Sequence, residues 1–226
     1  MDSTYHATPA EHVVHGWAEK VPRGFRLALK LPQVLTPEGP PPDGALAAFC
    51  ERALLLGDKL GPVLVQLGPD FGPPAERWDS VARFLATLPP GPHWAIEFRQ
   101  RGWVGPKLLE LLARHRVALA LVEGRGVRRD ELMDLAIHPT TDFAYVRWMG
   151  GGMKLEDFSA VQVNRDRELS VWAMALAALA ARVPAVFGYF SNHFQGHAPA
   201  SAREMQRLIG VSPVEPETLR TQTSLF

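Results

Sequence analysis

At 226 residues the chain has room for one ordinary domain or two small ones, and 46% hydrophobic with 21% charged residues is a globular composition, neither disordered nor fibrous. Lysine plus arginine equals aspartate plus glutamate at 24 each, which excludes a global positive field drawing the protein to nucleic acid or membrane and confines any polyanion site to a local patch. The single cysteine, Cys50, excludes an intrachain disulfide and fits a reducing cytoplasm.

The N-terminus, Met1 to Tyr5, lacks a basic start followed by an apolar core, so no signal peptide is expected. With 19 glycines and 20 prolines, the sequence reads as short elements joined by tight connections. The first apolar run is Phe25 to Leu31, stopped by Pro32, and Asp43 is the expected N-cap of a helix over Ala45 to Leu60. A strand follows at Val63 to Leu67, then a helix from Glu76 to Leu88, ended by Pro89-Pro90. Next come a strand at Trp94 to Arg99, a helix from Pro106 to His115, a strand at Val117 to Val122 and a weak helix at Asp130 to Ala136. The strand Phe143 to Arg147 runs into Gly150-Gly151-Gly152. A helix from Arg167 to Arg182, a strand at Ala185 to Phe190 and a helix entered at Pro199 and running to Leu208 complete the pattern. The most apolar stretch, Leu169 to Val186, is broken by Arg182 and Pro184, short of the roughly 20 uninterrupted apolar residues of a bilayer span. The expected organisation is a single domain over residues 1–210 and a loose tail, 211–226.

Strands alternating with helices imply parallel βα units, and continuous apolar strands imply sheets covered on both faces. The candidates are a doubly wound open sheet and a TIM-barrel-like (β/α) barrel. No G-x-G-x-x-G follows the first strand and no G-x-x-x-x-G-K-[ST] occurs, which counts against the nucleotide-binding open sheet. The apolar runs also end in polar residues: Lys30, Gln66, Glu97 with Arg99, Glu123, Arg147, and Asn192 with His193. In a barrel the C-terminal strand ends converge on one mouth that carries the binding groups. The bland alternative is that strand ends become polar where they meet solvent.

These strand ends also carry a resemblance. Tyr189 to Ala200, an aromatic pair followed by Asn192-His193, Gly196 and Ala198-Pro199, is similar to the last strand and loop of the YecE-like proteins, domain-of-unknown-function family 72. Tyr145-Val146-Arg147 with Gly150, Glu97-Phe98-Arg99 with Trp103, Leu60-Gly61-Pro62 through Gln66-Leu67, Trp17 with Phe25 to Lys30, and Ser3-Thr4-Tyr5 with Pro9 resemble further segments of that family. The resemblance covers essentially the whole chain and implies a TIM-barrel-like fold with no settled activity. It also implies that the first strand and helix are missing, leaving a barrel incomplete at its N-terminus and an exposed edge beside Phe25–Leu31. Three family positions depart: Thr36-Pro37 stands for Thr-His, Met149 for a histidine, and Glu123 for the more usual aspartate.

The chemistry expected of these residues is anion binding. Glu97 and Arg99 are two apart on a strand and share a face, where the guanidinium would keep the carboxylate ionised, ready as a general base or as half of a structural ion pair. Tyr145 and Arg147 share a face likewise, and Arg147 precedes glycines whose N–H groups suit a phosphate. The expected catalytic residues are Glu97, Arg99, Arg147, Asn192 and His193. The expected substrate-binding residues are Lys30, Gln66, Trp103, Tyr145, Gly150 and Gly196, with a phosphorylated or nucleic-acid-like ligand. No cofactor and no resident metal are expected. The spacing of His193 and His197 loses its meaning in a loop, and a divalent ion held by Glu97, Glu123 and His193, as in a metal-dependent phosphodiesterase or nuclease-like hydrolase, is the minor alternative.

The last residues, Gln222-Thr223-Ser224-Leu225-Phe226, resemble the Q-x-x-L-F peptide by which bacterial proteins dock on the replication sliding clamp. Leu225 and Phe226 would be apolar anchors, with Gln222 fixing register. The sequence therefore leaves two functional classes open: an enzyme acting on a phosphate-containing substrate, or a non-catalytic binding or adaptor module. No membrane contact is expected of either.

Overall fold

The computed structural model describes residues 1–39, 42–124, 126–151 and 155–219. The chain divides into two compact units, Met1–Ala120 and the residues from Leu121 onward.

The first unit opens with a 3-10 turn, Asp2–Tyr5, and helix α1, Glu11–Lys20. Strands β1, Leu27–Lys30, β2, Leu60–Gln66, and β3, Trp94–Glu97, are followed by helices α2, Ala45–Leu54, α3, Ala75–Thr87, and α4, Pro106–Arg114. Strand β4, Ala118–Glu123, begins here and ends in the second unit. β2 pairs parallel with β1 and β3, and β3 with β4, each step bridged by a helical crossover. All four β3 residues are buried, as are six of the seven in β2. Pro106 starts α4 where its missing N–H costs nothing, and Leu108 and Leu112 bury one face.

Local backbone chemistry moves several boundaries. The helix expected over Ala45 to Leu60 stops at Leu54, and the turn that follows is entered at Gly57, φ +56°. Its N-cap is Gly44, not Asp43, at φ +71°. β2 starts three residues early and takes in Gly61-Pro62. Pro62 has no N–H to give, and the register against β1 shifts at this place, between Leu27 and Leu29. A Cβ on Gly61 would crowd the Leu27 carbonyl and Ala28 nitrogen at 3.2 Å, so glycine permits the close approach.

The edge of β1 is not bare. Thr4 Oγ1 accepts the Lys30 N–H at 2.9 Å and lies 2.8 Å from the Lys30 carbonyl oxygen. The Met1 ammonium donates to the Ala28 carbonyl. The N-terminal turn thus occupies backbone groups that a further strand would use, which covers the edge expected to be exposed.

In the second unit β5, Phe143–Trp148, pairs parallel and residue for residue with β6, Ala185–Phe190. Helix α5, Arg129–Ala136, precedes β5, and α6, Asp166–Ala180, precedes β6. Trp148 stacks on Phe190 at 4.2 Å and meets Trp172 edge-on at 5.4 Å. The stretch read as loop around His193 is a helical turn, α7, Asn192–Gln195, capped by Ser191 Oγ accepting the His193 N–H at 3.2 Å. Gly196 at φ +106° ends it, and His197 caps α8, Ala198–Leu208. Beyond α8, the Val211 N–H donates to the Gln206 carbonyl at 2.8 Å, and Glu215 pairs with Arg207 at 2.6 Å and Arg203 at 3.7 Å, which ties this segment to the helix. No helix among the described residues is long and apolar enough to cross a membrane.

Candidate functional site

In the first unit the strand ends bring four expected residues into one hydrogen-bonded chain. Register places Gln66 opposite Glu97. Gln66 Nε2 donates to Glu97 Oε1 at 2.9 Å, and Gln66 Oε1 accepts from Lys30 Nζ at 3.3 Å. The amide thus passes from an ammonium to a carboxylate with each end correctly matched. Arg99 Nε donates to the same Glu97 oxygen at 3.1 Å. Glu97 is fully buried, a placement a carboxylate tolerates only when paired and hydrogen-bonded. Lys30 Nζ also pairs with Asp2 Oδ1 at 2.8 Å and lies 5.5 Å from the Tyr5 ring centre.

Tyr5 belongs to this cluster electrostatically. Burial raises its phenol above the usual value, the Glu38 and Glu97 carboxylates add to the rise, and Arg99 opposes it. Glu38 Oε1 accepts the Gly68 N–H at 2.6 Å, at the exit of β2. Asp2, Tyr5 and Glu38 were not among the expected site residues. For Tyr5 the only sequence signal was the Ser3-Thr4-Tyr5 segment of the family resemblance. Trp103, expected to touch substrate, is 1% exposed, donates its indole N–H to the Phe71 carbonyl at 2.8 Å, and packs among Phe71, Trp78 and Phe98. Its place is the core.

The second unit holds the remaining expected residues. Tyr145 and Arg147 are buried on β5, and Tyr145 packs against Tyr189 at 4.9 Å. Burial alone pushes the Tyr189 phenol far above its usual value. Asn192 Oδ1 accepts the Ala198 N–H at 2.8 Å, fixing the entry to α8. His193 is exposed, its ring edge-on to Phe158 at 5.1 Å. Gly150 and Gly196 answer to packing: a Cβ on Gly150 would overlap the His193 carbonyl, and one on Gly196 would lie 2.7 Å from the Ala160 oxygen. Glu123 is gripped by Arg129 through both oxygens and also accepts the Trp172 indole N–H. Side-chain hydrogen bonding to Glu123 raises the Arg129 pKa further above its usual value, although partial burial opposes it. Among the described residues no group of three or more histidine, cysteine, aspartate or glutamate side chains is placed to hold a metal. Gln222, Leu225 and Phe226 lie outside the described residues.

Away from the strand ends, a largely apolar groove of about 1000 Å³ runs between α6, β6 and α8, with Met174 and Ile209 exposed along it.

Parallel strands joined by helical crossovers, with polar side chains gathered at the C-terminal strand ends, define an α/β protein of TIM-barrel-like fold. The chain belongs to the family described as "Protein of unknown function DUF72", whose model matches residues 1–223. Solved structures agree. A DUF72 family protein from Enterococcus faecalis V583 superposes with a TM-score of 0.75 at 21% identity, over 94% of this chain and 89% of that one. A second structure of that protein gives 0.74 at 20% identity, over 95% and 85%. A DUF72 family protein from Thermotoga maritima MSB8 gives 0.73 at 22% identity, over 92% and 82%. At these identities the likeness is one of fold. No curated protein matches the chain.

Proposed function

We propose that the polar cluster at the ends of β1, β2 and β3 binds a small anionic ligand, with a phosphate group the simplest case. The observation that supports this reading is Arg99. Its Nε is committed to Glu97, its terminal amino groups have no protein partner among the described residues, and its side chain is 26% exposed. A guanidinium held from behind by a buried carboxylate presents its outer edge in the geometry that suits a phosphate. Lys30 adds a second cation, whose pairing to the 86%-exposed Asp2 is of the kind that contributes little and exchanges readily. In this reading Glu97 and Gln66 are positioning residues and Arg99 the contact.

Titration calorimetry with inorganic phosphate tests it. Loss of charge-assisted bonds of about 1.5–3 kcal/mol each makes Arg99→Gln at least roughly tenfold weaker. Arg128→Gln, at a surface arginine 63% exposed, is the control and leaves affinity unchanged. Equal affinity in Arg99→Gln and the parent, or equal loss in both variants, overturns the proposal. The metal-dependent hydrolase alternative has less support, because Arg129 and Trp172 already occupy the Glu123 oxygens. Docking on a sliding clamp through Gln222, Leu225 and Phe226 rests on the sequence alone. Clamp captured equally well with and without residues 222–226 would refute it.

A further inference from the structure

The end of the N-terminal turn brings Tyr5 to the polar cluster of the first unit. Thr4, the residue before it, is buried and binds both backbone groups of Lys30, so the turn is clamped to β1 at the residue whose ammonium belongs to the cluster. The Tyr5 ring is half-buried, with Lys30 Nζ 5.5 Å from its centre and the His6 ring edge-on at 5.6 Å. A cation over the ring and a second ring against it help to fix its position.

The Tyr5 hydroxyl has a distinct environment. Burial raises the phenol above its usual value, the Glu38 and Glu97 carboxylates add to the rise, and Arg99 opposes it. Electrostatic influence falls with distance and is screened by solvent, so a hydroxyl that senses all three groups stands among them. The ring therefore reaches from the Lys30 side of the cluster to the Arg99 side. Glu38 Oε1 is engaged by the Gly68 N–H, and Glu97 Oε1 by Gln66 and Arg99. The Tyr5 hydroxyl itself has no hydrogen-bond partner among the described residues. At neutral pH it is a protonated donor near the open edge of Arg99.

That placement bears on which anion the cluster accepts. A carboxylate is planar, and the edge of a guanidinium engages both of its oxygens. A phosphate ester paired with the same edge keeps a third terminal oxygen out of that plane, open to a donor standing to the side. We propose that Tyr5 donates its hydroxyl to this third oxygen and so selects a phosphate ester over a carboxylate. The inference rests on the anion-binding reading of Arg99.

Calorimetry with inorganic phosphate and with sodium acetate, at constant ionic strength, tests it together with NMR of the full chain carrying ¹³Cζ-labelled tyrosine. The chain has three tyrosines, and Tyr145 and Tyr189, packed on each other in the second unit, serve as internal references. The Tyr5 signal, assigned by correlation to its backbone amide, is expected to move and saturate with phosphate while the other two stay in place. Tyr5→Phe keeps the ring and is expected to bind phosphate about tenfold more weakly, the loss of one charge-assisted bond, and to lose most of the parent's preference for phosphate over acetate. Arg99→Gln separates the two readings. Phosphate binding lost in Arg99→Gln but unchanged in Tyr5→Phe overturns the role of Tyr5 and leaves the anion site standing, as does a Tyr5 signal that ignores bound phosphate. Equal loss of phosphate and acetate affinity in Tyr5→Phe marks a structural ring and also overturns the proposal. No phosphate binding by the parent, or undiminished binding by Arg99→Gln, overturns both readings. If Tyr5→Phe does not fold, the Tyr5 signal of the parent decides.

Discussion

Gln66→Leu isolates the energetic role of the amide that joins Lys30 to Glu97. The substitution roughly preserves volume on a buried strand residue but removes the donor to Glu97 Oε1 at 2.9 Å. The Glu97 side chain is 1% exposed, so solvent does not replace the lost bond. A hydrogen bond to a charged group contributes about 1.5–3 kcal/mol, and part of that is recovered by placing an apolar side chain in the core, which leaves an expected cost of about 2 kcal/mol. For a chain of this length that corresponds to a fall in Tm of roughly 4–8 °C. Asp2→Ala cuts the other end of the same chain, where the carboxylate is 86% exposed, and is expected to cost under about 0.5 kcal/mol. Because the molecule has two compact units, a single two-state transition is not assumed. Hydrogen exchange of β2 and β3 amides, read beside urea unfolding, follows the first unit specifically. Equal costs for the two substitutions, or a stabilised Gln66→Leu, would refute the view that the buried amide is what makes Glu97 tolerable.

Three further outcomes are expected. Gly150→Ala should be severely destabilising, because its Cβ would overlap the His193 carbonyl at φ +70°; Gly210→Ala, at φ +76° with open space around it, should cost only about 1–2 kcal/mol of backbone strain, and equal melting temperatures would count against the packing argument. The Cys50 thiol, 3% exposed and pushed up to about 11 by burial, should resist a disulfide reagent at neutral pH until urea unfolds the chain, so rapid native labelling would contradict its burial. Its stability contribution is complete below the unfolded pKa of 9.0 and is lost as pH rises toward 11; Tyr189, raised from 10.0 by burial, contributes likewise, so melting temperature should fall in alkali from about pH 9–10 upward, and Tyr189→Phe should flatten the upper part of that fall.

What the sequence made legible depended on how local the cause was. β6 was read to the residue because an apolar aromatic run lies between Pro184 and Ser191-Asn192, and α3 lay within a residue of expectation because Pro73-Pro74 and Pro89-Pro90 bracket it. Helix α1 was missed. Gly16, a poor helix former, lies in its middle, and its signal was spread over Glu11 in the first turn, Lys20 in the last, and Val14, Trp17 and Ala18 turned toward the core. Gly150 and Gly196 were read as ligand-binding positions, and the structure gives each a close backbone contact that a Cβ would block. A glycine needed for close backbone approach and one needed for a phosphate leave the same mark in a sequence, and only the neighbouring strands tell them apart.

The same reasoning explains why the cluster of the first unit was half visible. Lys30, Gln66, Glu97 and Arg99 stood out because each closes an apolar run. Their partnership depends on register, which pairs Gln66 with Glu97 and Lys30 with Leu64. Since side chains alternate faces, a slip of one residue would turn Gln66 away from Glu97 and leave a buried carboxylate without its amide donor. The register shift between Leu27 and Leu29, where Gly61-Pro62 crosses β1, therefore helps set where Lys30 stands against Gln66. A glycine and a proline that fall between the expected helix and the expected strand are part of what aligns the proposed anion site.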